Sequence, residues 1–230
     1  MTFKLLIFTF LSINLYAEIL ISKQTTQLLV VSSDSFTNKT ATLQAYERDK
    51  NSWKKHLKSI TVNLGRNGLA WGKGLITFQH KPEEPIKKEG DGKAPAGLFE
   101  LESLFGYEDN HFSLPYLKVN SSSLCIDDST SKDYNTILQN KDTTTYKSFE
   151  YMKRKDNLYK LGVVVGHNQK AIKEHGSCIF LHIQKKKNSA TAGCTSMQEE
   201  NLLTIMKWLK QSEHPLLLQL PVKYLKEGFR

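Results

Sequence analysis

Two side chains twelve positions apart, His182 and Cys194, hold the clearest chemical potential in this 230-residue sequence. A thiol becomes a strong nucleophile when an imidazole accepts its proton, so a Cys with a His is the minimal unit for acyl transfer through a thioester. His182 lies near the end of the run CIFLHI, residues 178–183, and Cys194 sits in Thr191-Ala192-Gly193-Cys194-Thr195-Ser196. Gly193 adds no side chain beside the sulfur, so a substrate carbonyl can approach and backbone N–H groups around Cys194 can serve as an oxyanion site. The tetrad Ser196-Met197-Gln198-Glu199 fits a helix capping box. On that reading Cys194 lies two residues before a helix N-cap, where the helix dipole lowers its pKa.

The elements that must position these groups are mostly strands. Residues 27–32, 57–64, 97–101, 161–166 and 178–183 are rich in β-branched or aromatic side chains and bounded by turn formers, and 216–220 reads as a closing strand. The runs LGVVVG and CIFLHI lack alternation, which predicts strands buried on both faces. Leu202, Leu203, Met206 and Leu209 recur at helical spacing and predict a helix over 197–210. The expected fold is α+β and mostly β, with sandwich-like mixed sheets and one helix in the C-terminal half. Glycine-rich stretches at 65–74 and 89–97 read as turns, and the second is no phosphate loop because Lys93 is followed by Ala94.

The formal charge of +9 and the N-terminus bear on address and partners. Lys4 precedes the apolar run 5–15 and then Tyr16-Ala17-Glu18, the pattern of a cleavable signal peptide spanning 1–17. The remaining 18–230 is expected to form a single domain in the periplasm or cell envelope, with no transmembrane segment. Cleavage removes one lysine, Lys4, and takes +9 to +8. For an exported basic protein, anionic envelope polymers are the expected electrostatic partners and nucleic acid is not, because no lysine cluster is interleaved with stacking aromatics. Three cysteines cannot all pair within the chain. In an oxidising compartment Cys125 and Cys178 either pair, leaving Cys194 free, or remain thiols. Glu174, His175, Cys178 and His182 crowd one stretch, but His-x6-His with an intervening Cys is no zinc signature, so no metal is expected. His167 and Asn168 follow a predicted buried strand and are candidates for the rim of the site.

A strand ending in His, a short loop and a [Ser/Thr]-x-Gly-Cys motif leading into a helix resemble the YkuD-type L,D-transpeptidase domain of bacterial cell-wall enzymes. Further segments are similar to a secreted branch of that family: residues 89–97 (EGDGKAPAG), Cys125-Ile126-Asp127-Asp128 with Tyr134-Asn135, residues 176–182 (GSCIFLH) and Thr191-Ala192-Gly193-Cys194. The resemblance runs from about Leu64 to about Leu220. It implies that Cys194 is the nucleophile, His182 its base and the Gly193 to Cys194 backbone part of the oxyanion site, with no cofactor. His167, His175, Ser177, Thr191 and Thr195 are then expected around the substrate. The implied reaction is attack on a peptidoglycan stem peptide after the L-centre of a diamino acid, release of D-alanine and transfer of the acyl group to an amine. Water as acceptor makes a carboxypeptidase. Family members often carry His before Gly-Cys and Arg two residues after Cys, where this chain has Ala192 and Ser196. Another reading of the same residues is a noncatalytic module that holds wall polymers through its basic surface; a Cys peptidase of unrelated fold lacks its usual local signatures.

Overall fold

The computed structural model describes residues 18–139, 142–226 and 228–230. The expected signal peptide, 1–17, lies outside the described residues. Among the described residues, fourteen strands and one α-helix follow one another, with three short 3-10 turns. The strands are β1 (Gln27–Ser33), β2 (Thr40–Asp49), β3 (Ser52–Lys55), β4 (Ile60–Asn63), β5 (Leu69–Trp71), β6 (Ala94–Gly106) and β7 (Tyr116–Lys118), then β8 (Leu124–Cys125), β9 (Ile137–Leu138), β10 (Glu150–Tyr151), β11 (Leu161–Val165), β12 (Phe180–Ile183), β13 (Thr195–Met197) and β14 (Leu216–Pro221). The helix α1 is Glu199–Trp208.

The fold is α+β and mostly β, and the sandwich-like pair of sheets expected from sequence is a single mixed sheet closed on itself. Its order is β1-β14-β6-β11-β12-β13-β4-β2, and β2 pairs back onto β1 to complete the barrel. Two neighbouring pairs, β1 with β14 and β12 with β13, are parallel. Closure removes most unpaired strand edges and gives each wall strand two hydrogen-bonded neighbours. That explains the near-continuous burial of β1 and β14. The strand β2 was not anticipated: Ala41, Leu43 and Ala45 alternate inward with Thr40, Thr42 and Gln44, a period-2 pattern muted by small residues.

The main core joins Leu28, Leu29, Val62, Leu64, Leu104 and Leu181 of the wall to Leu202, Ile205 and Met206 of α1, each fully buried apolar side chain contributing about 1.5–3 kcal/mol. The helix packs on β11 and β12. A smaller apolar cluster gathers Phe105, Tyr107, Tyr159 and Phe180 around all three sulfurs. A second sheet, β10-β8-β9, stands apart from the barrel and is tied to it by the Cys125–Cys178 disulfide. No helix among the described residues is long and apolar enough to cross a membrane.

Candidate active site

The strand β12 holds His182 in register with Gly162 of β11 on one side and Ser196 of β13 on the other. Gly162 also pairs with Phe105 of β6, and a Cβ built at Gly162 would lie 2.1 Å from the Phe105 ring, so only glycine lets that ring lie across β11. Phe105, Phe180 and Tyr159 meet edge to face at 5.1–5.9 Å, and Tyr159 meets the His182 ring in the same way at 5.3 Å. The His182 imidazole therefore sits in an aromatic nest built from separate stretches of the chain.

Parallel pairing of β12 with β13 places Cys194, the residue before β13, beside Phe180. The Phe180 N–H donates to Cys194 Sγ at 3.3 Å, and the thiol donates to the Cys178 carbonyl at 3.5 Å. Cys194 and His182 line one cavity of about 180 Å³ together with Arg66, Asp127, Glu150 and Tyr159. Gly193, Ser177 and Ala192 border it as well.

The expected helix-dipole activation of Cys194 is overturned. The capping-box residue Ser196 belongs to β13, and α1 starts two residues later than expected with Gln198 as N-cap and no side-chain cap bond. Pairing of 195–197 with β12 and β4 outcompetes a local cap worth about 1 kcal/mol. Burial, with the charge of Glu150 as a lesser cause, pushes the Cys194 thiol up to about 12. Burial likewise holds His182 down at about 4. The resting thiol and imidazole are thus both neutral. The His182 Nδ1–H donates to the Ile183 carbonyl at 2.8 Å, which fixes the tautomer and leaves Nε2 as the basic nitrogen.

The other anticipated site residues separate into two groups. Ser177 faces the cavity and donates to Glu89 Oε2 at 2.7 Å. Thr191 clamps the Cys194 loop: its hydroxyl donates to the Cys194 carbonyl at 2.6 Å and accepts the Gly193 N–H at 3.1 Å. That bond occupies the Gly193 N–H expected at the oxyanion site. Thr195 turns away from the cavity and donates to Gln219 Oε1 in the barrel interior at 2.7 Å. His167 is also away from it, with Nε2 donating to the His175 carbonyl at 2.9 Å and Nδ1 accepting the Lys73 N–H at 3.3 Å. His175 contributes that carbonyl and does not border the cavity.

Sequence reading missed Tyr159, Glu150, Asp127 and Arg66. Tyr159 donates to Glu150 Oε2 at 2.6 Å, and burial lifts the Glu150 carboxyl above its ordinary range. Asp127 Oδ1 is buried there with no hydrogen-bond partner among the described residues. The segment CIDD had been noted, but no local pattern marks one of its acids as a cavity wall. The same holds for the Tyr134-Asn135 pair, whose roles are architectural. Tyr134 hydrogen-bonds Glu89, while Asn135 accepts the Cys178 N–H at 2.9 Å and donates to the His167 and Asn168 carbonyls. No group of three or more His, Cys, Asp or Glu among the described residues is arranged to hold a metal ion.

Cys125 and Cys178 are disulfide-bonded and Cys194 is free. The bond holds Cys178, at φ 53°, where its carbonyl accepts from the Cys194 thiol. With 53 residues of sequence separation, its loss is expected to cost about 4 kcal/mol. Denaturant unfolding of Cys125→Ser/Cys178→Ser checks this; an unchanged midpoint overturns it. A second expectation concerns acid. Burial holds both His167 and His182 at about 4, below the unfolded value of about 6.5. The unfolded chain therefore takes up these protons first, so the stability they contribute is complete above about pH 6.5 and is lost as pH falls through about 4, up to about 3 kcal/mol for each. Glu84, held at about 2 by Lys223, Tyr224 and Trp71 against the cost of its burial, gives way only below the ordinary carboxylate range, whereas Glu150 acts in the opposite sense. Urea midpoints are expected to fall between pH 7 and pH 4.5; a flat profile contradicts the assignment.

No protein-family model matches the sequence, and no curated protein matches it. Solved structures similar to it include those described as the helical cell shape determining protein Pgp2 from Campylobacter jejuni and its K307A mutant. Each is 13% identical with a TM-score of 0.42, over 86% of this chain and 49% and 48% of theirs. The chain thus spans about half the length of those structures.

Proposed function

We propose that this chain is an exported cysteine acyltransferase that acts on peptidoglycan stem peptides by L,D-transpeptidation, with Cys194 as nucleophile and His182 as base. The observation that carries the reading is the meeting of the chain's free thiol and an imidazole with a free Nε2 in one small cavity. A noncatalytic binding module has no need of that pair. The Cys125–Cys178 disulfide fits an oxidising, exported address.

The steps follow from the resting state. Substrate closes over the cavity, His182 Nε2 takes the thiol proton, and Cys194 Sγ bonds to the carbonyl carbon after the L-centre of the diamino acid. The oxyanion forms at the Cys194 N–H, since the Gly193 N–H is engaged by Thr191. Collapse breaks the C–N bond, and His182 returns the proton to the departing D-alanine amine. The thioester is then attacked by an amine, whose proton passes through His182 back to sulfur as the thiol is released. Starting from neutral partners avoids burying an ion pair before substrate arrives.

Water in place of the amine gives an L,D-carboxypeptidase, and the cavity of about 180 Å³ favours that second reading because it suits one residue with a water better than two peptide branches. Disaccharide tetrapeptide muropeptides incubated with the protein and read by mass spectrometry separate the outcomes. Loss of D-alanine with cross-linked dimers establishes transpeptidation, tripeptide alone establishes carboxypeptidase action, and unchanged substrate overturns both.

A further inference from the structure

The cavity that holds the nucleophile is electrically lopsided. Its wall carries three carboxyl groups, Glu89, Asp127 and Glu150, while two cations, Arg66 and Lys87, also border it. Lys87 is committed: its buried Nζ donates to Asp91 Oδ1 at 2.6 Å and to the Lys88 carbonyl at 2.7 Å. Arg66 is different, for it is exposed and takes part in none of the ion pairs found among the described residues.

Its position is nevertheless built. The Arg66 N–H donates to the Thr191 carbonyl at 2.9 Å, and Gly65 forms a β-bridge with Thr191, so the arginine is tied to the loop that carries Cys194. The side chain lies across Gly92, where a Cβ would come within 2.9 Å of Nε and 3.0 Å of Cζ. Gly92 adopts φ +68°, a conformation that disfavours any side chain. The backbone at 92 thus leaves a seat for the guanidinium at the cavity mouth. A carboxylate entering the cavity is repelled by Asp127 and Glu150 and attracted by Arg66, whose planar fork matches it bidentately.

We propose that Arg66 is the specificity-determining anchor for a carboxylate of the peptide substrate, fixing which end of the peptide faces Cys194. The inference rests on the peptide-substrate reading above and adds the group that orients the substrate. The carboxylate has two possible sources, the C-terminal D-alanine and the side-chain end of the diamino acid, which share this chemistry.

The test is binding to the Cys194→Ala protein, with and without Arg66→Ala or Arg66→Lys, by isothermal titration calorimetry. The probes are a stem tetrapeptide, its C-terminal amide and its diamino-acid side-chain amide. Arg66→Ala is expected to weaken tetrapeptide binding about 10- to 100-fold, with partial recovery in Arg66→Lys. One of the two amides is expected to bind equally weakly to proteins with and without Arg66, which identifies the carboxylate. Binding of the tetrapeptide that is absent, or unchanged by Arg66→Ala, overturns the inference. Turnover by the wild-type protein is measured in parallel. Turnover with Arg66-independent binding discards the anchor and keeps the acyl-transfer reading, whereas Arg66-dependent binding without turnover does the reverse. Thermal melts of the Arg66 variants are expected to match the parent, since the side chain is exposed.

Discussion

Cys194→Ala is expected to eliminate all muropeptide products, a fall of at least about 10⁴-fold, while leaving the protein folded. The sulfur is the only free thiol among the described residues, and it shares the cavity with His182. The structural cost is small by comparison. Alanine removes one weak acceptor for the Phe180 N–H and one weak donor to the Cys178 carbonyl, about 1–2 kcal/mol in all. A circular-dichroism melt separates this modest loss from loss of chemistry, and turnover that survives in the variant excludes the thioester route. Because burial pushes the thiol up to about 12, iodoacetamide is expected to label Cys194 more slowly than free cysteine at neutral pH. A fast-labelling thiol would show that the resting pair is ionised after all.

His182→Gln is expected to lower kcat/KM by about 10²- to 10⁴-fold, the range for removing a positioned general base. The pH profile carries the sharper test. An imidazole held at about 4 by burial is already unprotonated at pH 5, so initial rates are expected to persist well below pH 6.5 and to fall only toward pH 4 in the free enzyme. Rates must be taken before acid unfolding intervenes, since His167 and His182 both erode stability in the same window. An acid limb near 6.5 would mean that His182 is solvated during catalysis, and the neutral-pair mechanism would fall. Residual activity in His182→Gln that rises steeply with alkaline pH is the expected signature of a thiolate formed without its base.

Disulfide loss is expected to act on the same site by a different route. The bond fixes the Cys178 carbonyl that holds the thiol, and it ties the sheet carrying Glu150 to the start of β12. Reduction is therefore expected to loosen the acidic wall and the seat of the Cys194 thiol together.

The chain's local patterns carried the strands β1, β11, β12 and β14, the helix, and the Cys and His that meet in the cavity. These were readable because strand and helix periodicity and a rare thiol beside glycine are properties of short segments. The run 27–32 needed no knowledge of its neighbours to read as a strand. Barrel closure was not readable, because it depends on β2 pairing with both β1 and β4, and β2 hides its alternation behind Ala41 and Ala45. Ser196 shows the conflict most directly: its local sequence asks for a helix cap, but long-range pairing with His182 and Asn63 makes it strand. That outcome moved Cys194 from a helix terminus into a buried wall and reversed the direction of its pKa shift. His167, Thr195 and Thr191 carry site-like chemistry in sequence, yet each spends it on an internal hydrogen bond that only tertiary neighbours supply. Arg66, Asp127, Glu150 and Tyr159 come to the Cys194 cavity from four separate stretches of chain. Sequence alone singled out the thiol and the imidazole; their protonation states, and the charges that line their cavity, came from burial and long-range pairing.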